Sequence, residues 1–382
     1  MRSLLISTYY PPEHGGIAHY MASVAEALGP EQVCCLTSVP APGVGAGRVD
    51  GVRVYRRPRA FAAAKITQAI NVAASIGEIV LRERPQAVQV ATTTSEGYFG
   101  LWLRRWLGLP FVVYAHGNEV LQAIQTPWPL PRRALVSADR VLANSRFTAG
   151  LVRDAGVAPE RVEIVHPGCD VESFHPSGRD ERLHRRLLGE RRAGPVLLSL
   201  GGLVPRKGQD MVIRALPKLL KRYPDLVYLI VGEGRHRRTL EALIREVGVG
   251  DRVILTGEVS DIPLQQIYAL CDLFVMPSRE QLDQCDVEGF GMVYLEANAC
   301  GKAVIGGRSG GIADAIIDGQ TGLLVDPLSP GAIAEVLDRL LSNPALAAQM
   351  GAQGRARVIS ELTWTRVAAR IQGILSSLTG SP

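Results

Sequence analysis

Short apolar runs recur along this chain, each followed by a stretch whose apolar positions fall at helical spacing. In the first half they lie at residues 4–7, 32–36, 52–55, 87–91, 111–115, 141–145 and 162–165, and in the second at 195–200, 226–231, 252–257, 273–277, 303–305 and 322–325. Strands alternating with helices in this way predict parallel sheets covered on both faces, with ligands at the carboxyl ends of the strands. Turn formers interrupt the alternation at His166-Pro-Gly-Cys-Asp170 and Phe174-His-Pro176, which places a linker between two similar halves. The expected domains are residues 1–172, residues 173–362 and a C-terminal helix, 363–382, crossing back onto the first domain. Residues 177–192 are charged and predicted to be helical; residues 330–360 and 364–378 are predicted helices separated by a short break at Leu362-Thr-Trp364.

Length agrees with this division, because 382 residues exceed the usual size of one hydrophobic core. A composition of 47% hydrophobic and 21% charged residues is that of an ordinary soluble protein, and the net charge of +5 is spread along the chain. That charge suits anionic small molecules or a membrane surface better than nucleic acid. The six cysteines show neither CxxC pairing nor metal-ligand spacing and read as separate reduced thiols, which points to the cytoplasm. The first apolar run is too short for a signal peptide and no run is long enough to span a bilayer, so any membrane contact is expected to be peripheral.

Four stretches carry candidate chemistry. Gly15-Gly16 stand between the first strand and a helix, where unpaired amides and the helix dipole favour a phosphate, although a plain connecting turn fits these residues equally. The spacing is not the GxGxxG dinucleotide fingerprint, which disfavours a dehydrogenase. His116, directly after a strand, is expected to point into the crevice at the strand ends. Arg206-Lys207-Gly208 place two cations and a glycine at a second helix start, an arrangement suited to a diphosphate. In Asp286-Val-Glu-Gly-Phe-Gly-Met-Val-Tyr-Leu-Glu296, Glu288 is expected on a loop and Glu296 inside a helix, with exposed amides at the glycines. Two further stretches are basic: Trp102, Arg104, Arg105 and Trp106, with Trp128 to Arg133 later, suit a lipid headgroup region, although a buried helix with two solvated arginines explains them more simply. Arg53, Arg56, Arg57 and Arg59 read as a solvated face.

Taken together, Tyr10-Pro-Pro with Gly15-Gly16, His116-Gly117, Arg206-Lys207-Gly208, Gly232-Glu-Gly234 and the E-x7-E pair Glu288 and Glu296 resemble the retaining glycosyltransferases of the family 4 type. The resemblance covers almost the whole chain. It implies the GT-B fold, an α/β architecture of two Rossmann-like domains facing across a cleft, and transfer of a hexose from a nucleotide sugar to a hydroxyl without metal or other cofactor. The motifs look most like those of GDP-mannose-dependent mannosyltransferases, including the phosphatidylinositol mannoside enzymes; a UDP-hexose donor is the alternative within the family. The implied partners are the nucleotide sugar and a lipid-linked or glycan acceptor, with no nucleic acid. Peripheral contact of the first domain with the inner face of the membrane is a further expectation. A GT-B sugar-nucleotide epimerase or glycogen-type transferase, and a non-catalytic sugar-nucleotide-binding partner subunit, are the rival readings.

By the same resemblance, Gly15 and Gly16 would approach the donor diphosphate and Arg206 and Lys207 would neutralise it. Glu288, with the backbone of Gly289, Phe290, Gly291, Met292 and Val293, would hold the sugar hydroxyls and distal phosphate. Glu296 would hold the ribose, Arg252, Val253 and Ile254 the nucleobase, and His116 would face the transferred sugar. Two positions depart from the pattern: Gly202 stands where many relatives carry an arginine on the diphosphate, and His166 where they often carry asparagine.

Overall fold

The computed structural model describes residues 1–13, 15–39, 47–49, 51–58, 66–189 and 194–380, and Arg59 of the expected basic face lies outside them. The chain forms two compact units, Met1–Pro167 with Trp364–Pro382, and Gly168–Thr363. These divide at 167/168 and 363/364, against the expected 172/173 and 362/363.

The first unit is built on β1 (Ser3–Ser7), β2 (Val33–Val39), β3 (Gly47–Val49), β4 (Val52–Pro58), β5 (Ala87–Val90), β6 (Phe111–Ala115), β7 (Arg140–Ala143) and β8 (Val162–Ile164). Their order in the sheet is β3-β4-β2-β1-β5-β6-β7-β8, parallel throughout except for the edge pair β3 and β4. The antiparallel β3 was not among the predicted strands. Every residue of β1, β5 and β6 is buried, as expected where helices cover both faces. The last helix, Trp364–Thr379, belongs to this unit, and its Trp364 ring meets Tyr20 of the helix Gly16–Leu28 edge-on at 5.4 Å between centroids.

The second unit holds β9 (Val196–Leu200), β10 (Val227–Val231), β11 (Val253–Gly257), β12 (Leu273–Met276), β13 (Ala303–Gly307) and β14 (Gly322–Val325). All pairs are parallel, in the order β11-β10-β9-β12-β13-β14. Alternate residues feed two separate cores: Val196, Leu198, Leu229 and Phe274 enter one, Leu197, Tyr228, Ile230 and Val275 the other. Each unit therefore has the parallel-sheet, Rossmann-like architecture that the alternation predicts. The run 330–360, read as continuous, is divided into Pro330–Leu341 and Pro344–Glu361. The cause is local: Pro344 opens the second helix, and the Asn343 side chain accepts from Leu346 N.

Strand order fixes where chemistry can gather. In each sheet the winding reverses between the first strand and a later neighbour, β1 against β5 and β9 against β12. The loops leaving such a pair diverge and open a crevice at the carboxyl ends.

Candidate functional site

In the second unit the loops after β9 and β12 carry Arg206-Lys207 and Asp286 to Gly291. The first loop makes a short turn, Pro205–Lys207, and then Gly208 takes φ 75° as N-cap of the helix Gln209–Leu220. A Cβ on Gly208 would stand 2.1 Å from the Pro277 carbonyl oxygen, so both the conformation and the approach to β12 require glycine. This close contact brings the two loops together. Arg279 N also donates to Arg206 O at 2.8 Å, and the Arg279 guanidinium pairs with Asp210 at 3.0 Å.

Four charges meet there. Arg206 donates from Nε to Asp286 Oδ1 at 2.6 Å and from Nη1 to Glu288 Oε2 at 2.6 Å; Lys207 Nζ donates to the same Glu288 Oε2 at 2.5 Å. The side chains of all four keep 18% or less of their surface exposed. Burial would raise the Glu288 carboxyl, but the Lys207 and Arg206 charges outweigh it and hold it at about 2, so the group is ionised near neutrality. The Arg206 guanidinium is raised, chiefly by Glu288, and burial lowers Lys207.

Glu288 stands on the loop and Glu296 inside the helix Met292–Ala299, as the sequence predicts. Glu296 Oε2 accepts from the buried Tyr268 hydroxyl at 2.7 Å. Between the two glutamates, Gly289, Phe290 and Gly291 are buried as residues, and the Phe290 ring is part of the core. Met292 and Val293, which open the helix, are half-buried. Gly202 is exposed, and the nearest atom to a Cβ built there is Glu233 O at 3.9 Å.

Arg252, Val253 and Ile254, expected at the nucleobase, stand at the start of β11. Arg252 closes a short turn before β11, its guanidinium is 3.7 Å from Asp225, and Val253 and Ile254 begin the strand. They therefore lie at the amino end of a parallel strand, whereas the charge cluster lies beyond carboxyl ends. At about 3.3 Å per residue, Val253 and Ile254 lie about 13 and 10 Å from Gly257 at the other end of the strand. The residues in the matching position are Gly257, Glu258 and Val259, and the direction of a parallel strand was the signal that would have selected them.

In the first unit, Gly15 is the N-cap of the helix Gly16–Leu28 with φ 142°, and a Cβ there would meet nothing within 4 Å. The preceding loop is tied to the strand ends by Glu96, fully buried, which accepts from Thr8 N at 2.9 Å and Thr92 Oγ1 at 2.8 Å. His116 follows β6 and is half-buried; its Nε2 lies 3.0 Å from Ala91 O, which fixes the proton on Nε2 because a carbonyl only accepts. The Tyr20 ring meets the imidazole edge-on at 5.3 Å. Asn144 at the end of β7 donates to His116 O at 3.3 Å, while its buried Oδ1 accepts nothing from the described residues. From the sequence, Asn144 is legible only as part of the apolar run 141–145. His166 Nδ1 lies 3.1 Å from Asn144 O, so this departure from the family pattern is tied to the same strand ends.

Elsewhere in this unit the helix Ser95–Leu107 does not bury its tryptophans. Trp106 is 69% exposed and Trp102 36%, which overturns the simpler account of a buried helix, and Trp128, at the start of the helix Pro129–Ser137, is 58% exposed. The Arg105 guanidinium lies 5.6 Å from the Trp106 ring centroid, and Trp102, Trp106, Leu130, Arg104, Arg105 and Arg133 border a cavity of about 680 Å³. Among the described residues no helix is long and apolar enough to cross a membrane.

Comparison with known proteins covers both units. Residues 14–173 match the family described as Glycosyltransferase Family 4, and residues 180–357 match Glycosyl transferases group 1. The chain is 35% identical over 386 residues to the GDP-mannose-dependent alpha-(1-6)-phosphatidylinositol monomannoside mannosyltransferase of Mycolicibacterium smegmatis, covering 98% of each. Against the GDP-mannose-dependent monoacylated alpha-(1-6)-phosphatidylinositol monomannoside mannosyltransferase of Corynebacterium glutamicum the identity is 30% over 394 residues, again with 98% of each covered. Among solved structures, sucrose-phosphate synthase from Thermosynechococcus elongatus superposes with a TM-score of 0.82 at 23% identity over 100% of both chains. Anabaena HepE, in complex with UDP and glucose, gives 0.80 at 20% identity over 99% of this chain and 100% of its own. At these identities the structural likeness establishes the fold.

Proposed function

We propose mannosyl transfer from GDP-mannose to an inositol-phospholipid hydroxyl for this chain, which belongs to glycosyltransferase family 4, with retention at the anomeric carbon and without a divalent metal. The observation that carries the reading is the pair Arg206 and Lys207, two poorly exposed cations converging on one oxygen at the point where the second sheet reverses its winding. Such a pair is suited to the charge that develops on a departing diphosphate, which it can stabilise electrostatically without a metal. The choice of GDP-mannose and of a phosphatidylinositol mannoside acceptor rests on what the two mannosyltransferase relatives are named for.

In this mechanism the bond from the anomeric carbon to the diphosphate oxygen breaks, the acceptor oxygen adds to the same face, and its proton passes to the departing phosphate. Lys207 and Arg206 stabilise the leaving group, and Glu288 accepts from the sugar hydroxyls. Glu296, oriented by Tyr268, accepts from the ribose hydroxyls. The first unit takes the acceptor, with His116 facing the transferred sugar and the amides after Gly15 and Gly16 available to phosphate. The exposed tryptophans and the arginines beside them support an acceptor held at the cytoplasmic face of the membrane, which this patch would contact from the surface.

The test is transfer from radiolabelled GDP-mannose to vesicles containing phosphatidylinositol monomannoside, with EDTA present, followed by linkage analysis of the lipid product. A labelled α-mannosyl lipid is expected. Transfer from UDP-glucose instead, dependence on an added metal, or an inverted linkage would each overturn the corresponding part of the reading.

A further inference from the structure

Both cations that the proposed reaction needs are held by carboxylates. Glu288 Oε2 bridges Arg206 Nη1 and Lys207 Nζ at 2.6 and 2.5 Å, as a phosphate oxygen would. Two positive and two negative side chains make the cluster neutral, so an entering diphosphate would add uncompensated negative charge in a place with little solvent. Such a burden is relieved if one carboxylate leaves the cations.

The two carboxylates differ in their freedom to do so. Asp286 is pinned by a two-way backbone bridge to Gln281, at 2.9 and 3.1 Å, and its short side chain reaches the Nε edge of Arg206. Glu288 has one more torsion, and its backbone oxygen is independently fixed by Gly311 N at 2.9 Å. Its carboxylate can therefore swing while its main chain stays in place.

We propose that Glu288 is an internal counter-ion that yields Arg206 and Lys207 to the donor's diphosphate and returns to them to expel the nucleoside diphosphate product, while Asp286 keeps Arg206 in position throughout. The exchange rests on the diphosphate reading of this site. It gives Glu288 two duties: released from the cations it is available to sugar hydroxyls, and when the sugar has gone it competes with the product.

GDP and UDP are titrated separately into the full chain by calorimetry, using the wild type, Glu288→Gln, Glu288→Asp, Asp286→Asn and Lys207→Ala. Glu288→Gln keeps the shape of the side chain and removes the competing charge. It is expected to tighten the preferred diphosphate about tenfold, or about 1.4 kcal/mol, and to slow its release in stopped flow. Glu288→Asp, charged but shorter in reach, falls between it and the wild type. Unchanged or weaker binding in Glu288→Gln overturns the exchange. So does equal tightening in Asp286→Asn, which would reduce the effect to net charge. If Lys207→Ala binds both diphosphates as the wild type does, the diphosphate reading itself fails and the exchange falls with it.

Discussion

Replacing Lys207 by alanine separates its role in catalysis from its role in holding the loops together. Its side chain is 12% exposed, and its ammonium donates to a carboxylate that Arg206 also holds, so its removal leaves Glu288 paired. A hydrogen bond between charged groups contributes about 1.5 to 3 kcal/mol to stability, and here the relief of burying an ammonium offsets part of that. The variant is therefore expected to fold, with a loss of about 1 kcal/mol. The catalytic loss should be larger. Deleting one preorganised donor at a developing oxyanion lowers kcat by about 100- to 1000-fold, or roughly 2.7 to 4 kcal/mol, because in a poorly hydrated site no water replaces it at equal strength.

The assay is initial velocity at saturating donor and acceptor, with the melting temperature measured on the same preparation. The expected pattern is a deep fall in kcat, a smaller rise in the donor KM, and a nearly unchanged melting curve. A kcat within about threefold of the wild type, in a folded variant, would refute the assignment of Lys207 to the leaving group.

Three other outcomes follow from the same geometry. Glu288 has a folded pKa of about 2, below its ordinary value of 4.5, so its ion pairs stabilise the fold fully above pH 4.5 and that contribution is lost as pH falls toward 2. Urea unfolding of the wild type and Glu288→Gln should thus show a stability difference that is flat from pH 7 to 4.5 and shrinks at lower pH by on the order of 3 kcal/mol; a difference still flat at about pH 3 contradicts this. Tyr268→Phe removes the hydroxyl that orients Glu296 and should raise the donor KM several-fold with little change in kcat, whereas an unaltered KM would separate Glu296 from the donor. A Trp102, Arg104 and Arg105 triple alanine variant should lose sedimentation with anionic phosphatidylinositol vesicles, most visibly at low salt; unaltered partitioning removes the membrane patch.

The periodicity of the chain made the two parallel sheets legible because strands buried on both faces are uninterrupted apolar runs. What it could not show was short or relational. β3 is three residues, Gly-Arg-Val, paired on one side only, and carries no apolar run. The helical spacing of 330–360 concealed a break that comes from capping at Asn343 and Pro344. Arg206, Lys207 and Glu288 stood out through residue type and glycine spacing, yet the contact between them spans more than 80 positions and depends on Gly208 passing beneath Pro277. Asp286 and Tyr268 were invisible as partners for the same reason: nothing local to either residue names the group it holds. The place of Arg252 to Ile254 at the start of β11 was hidden for another reason, since periodicity locates a strand but its carboxyl end must be taken from the direction in which the chain runs through it.

The exposed Gly202 gains meaning from the neighbouring charges. No steric demand keeps glycine there, because a Cβ would have its nearest neighbour at 3.9 Å. The electrostatic arrangement is already complete without a cation at that position: Arg206 and Lys207 are balanced by Asp286 and Glu288, and Asp286 orients the guanidinium through its Nε edge, leaving the opposite edge for other partners. An arginine at 202 would make the cluster net positive and weaken the need for Glu288 to leave when a diphosphate enters. The missing arginine and the Asp286–Arg206 pair are thus two aspects of one solution, in which the second cation is supplied four residues later and a carboxylate on the facing loop sets its direction.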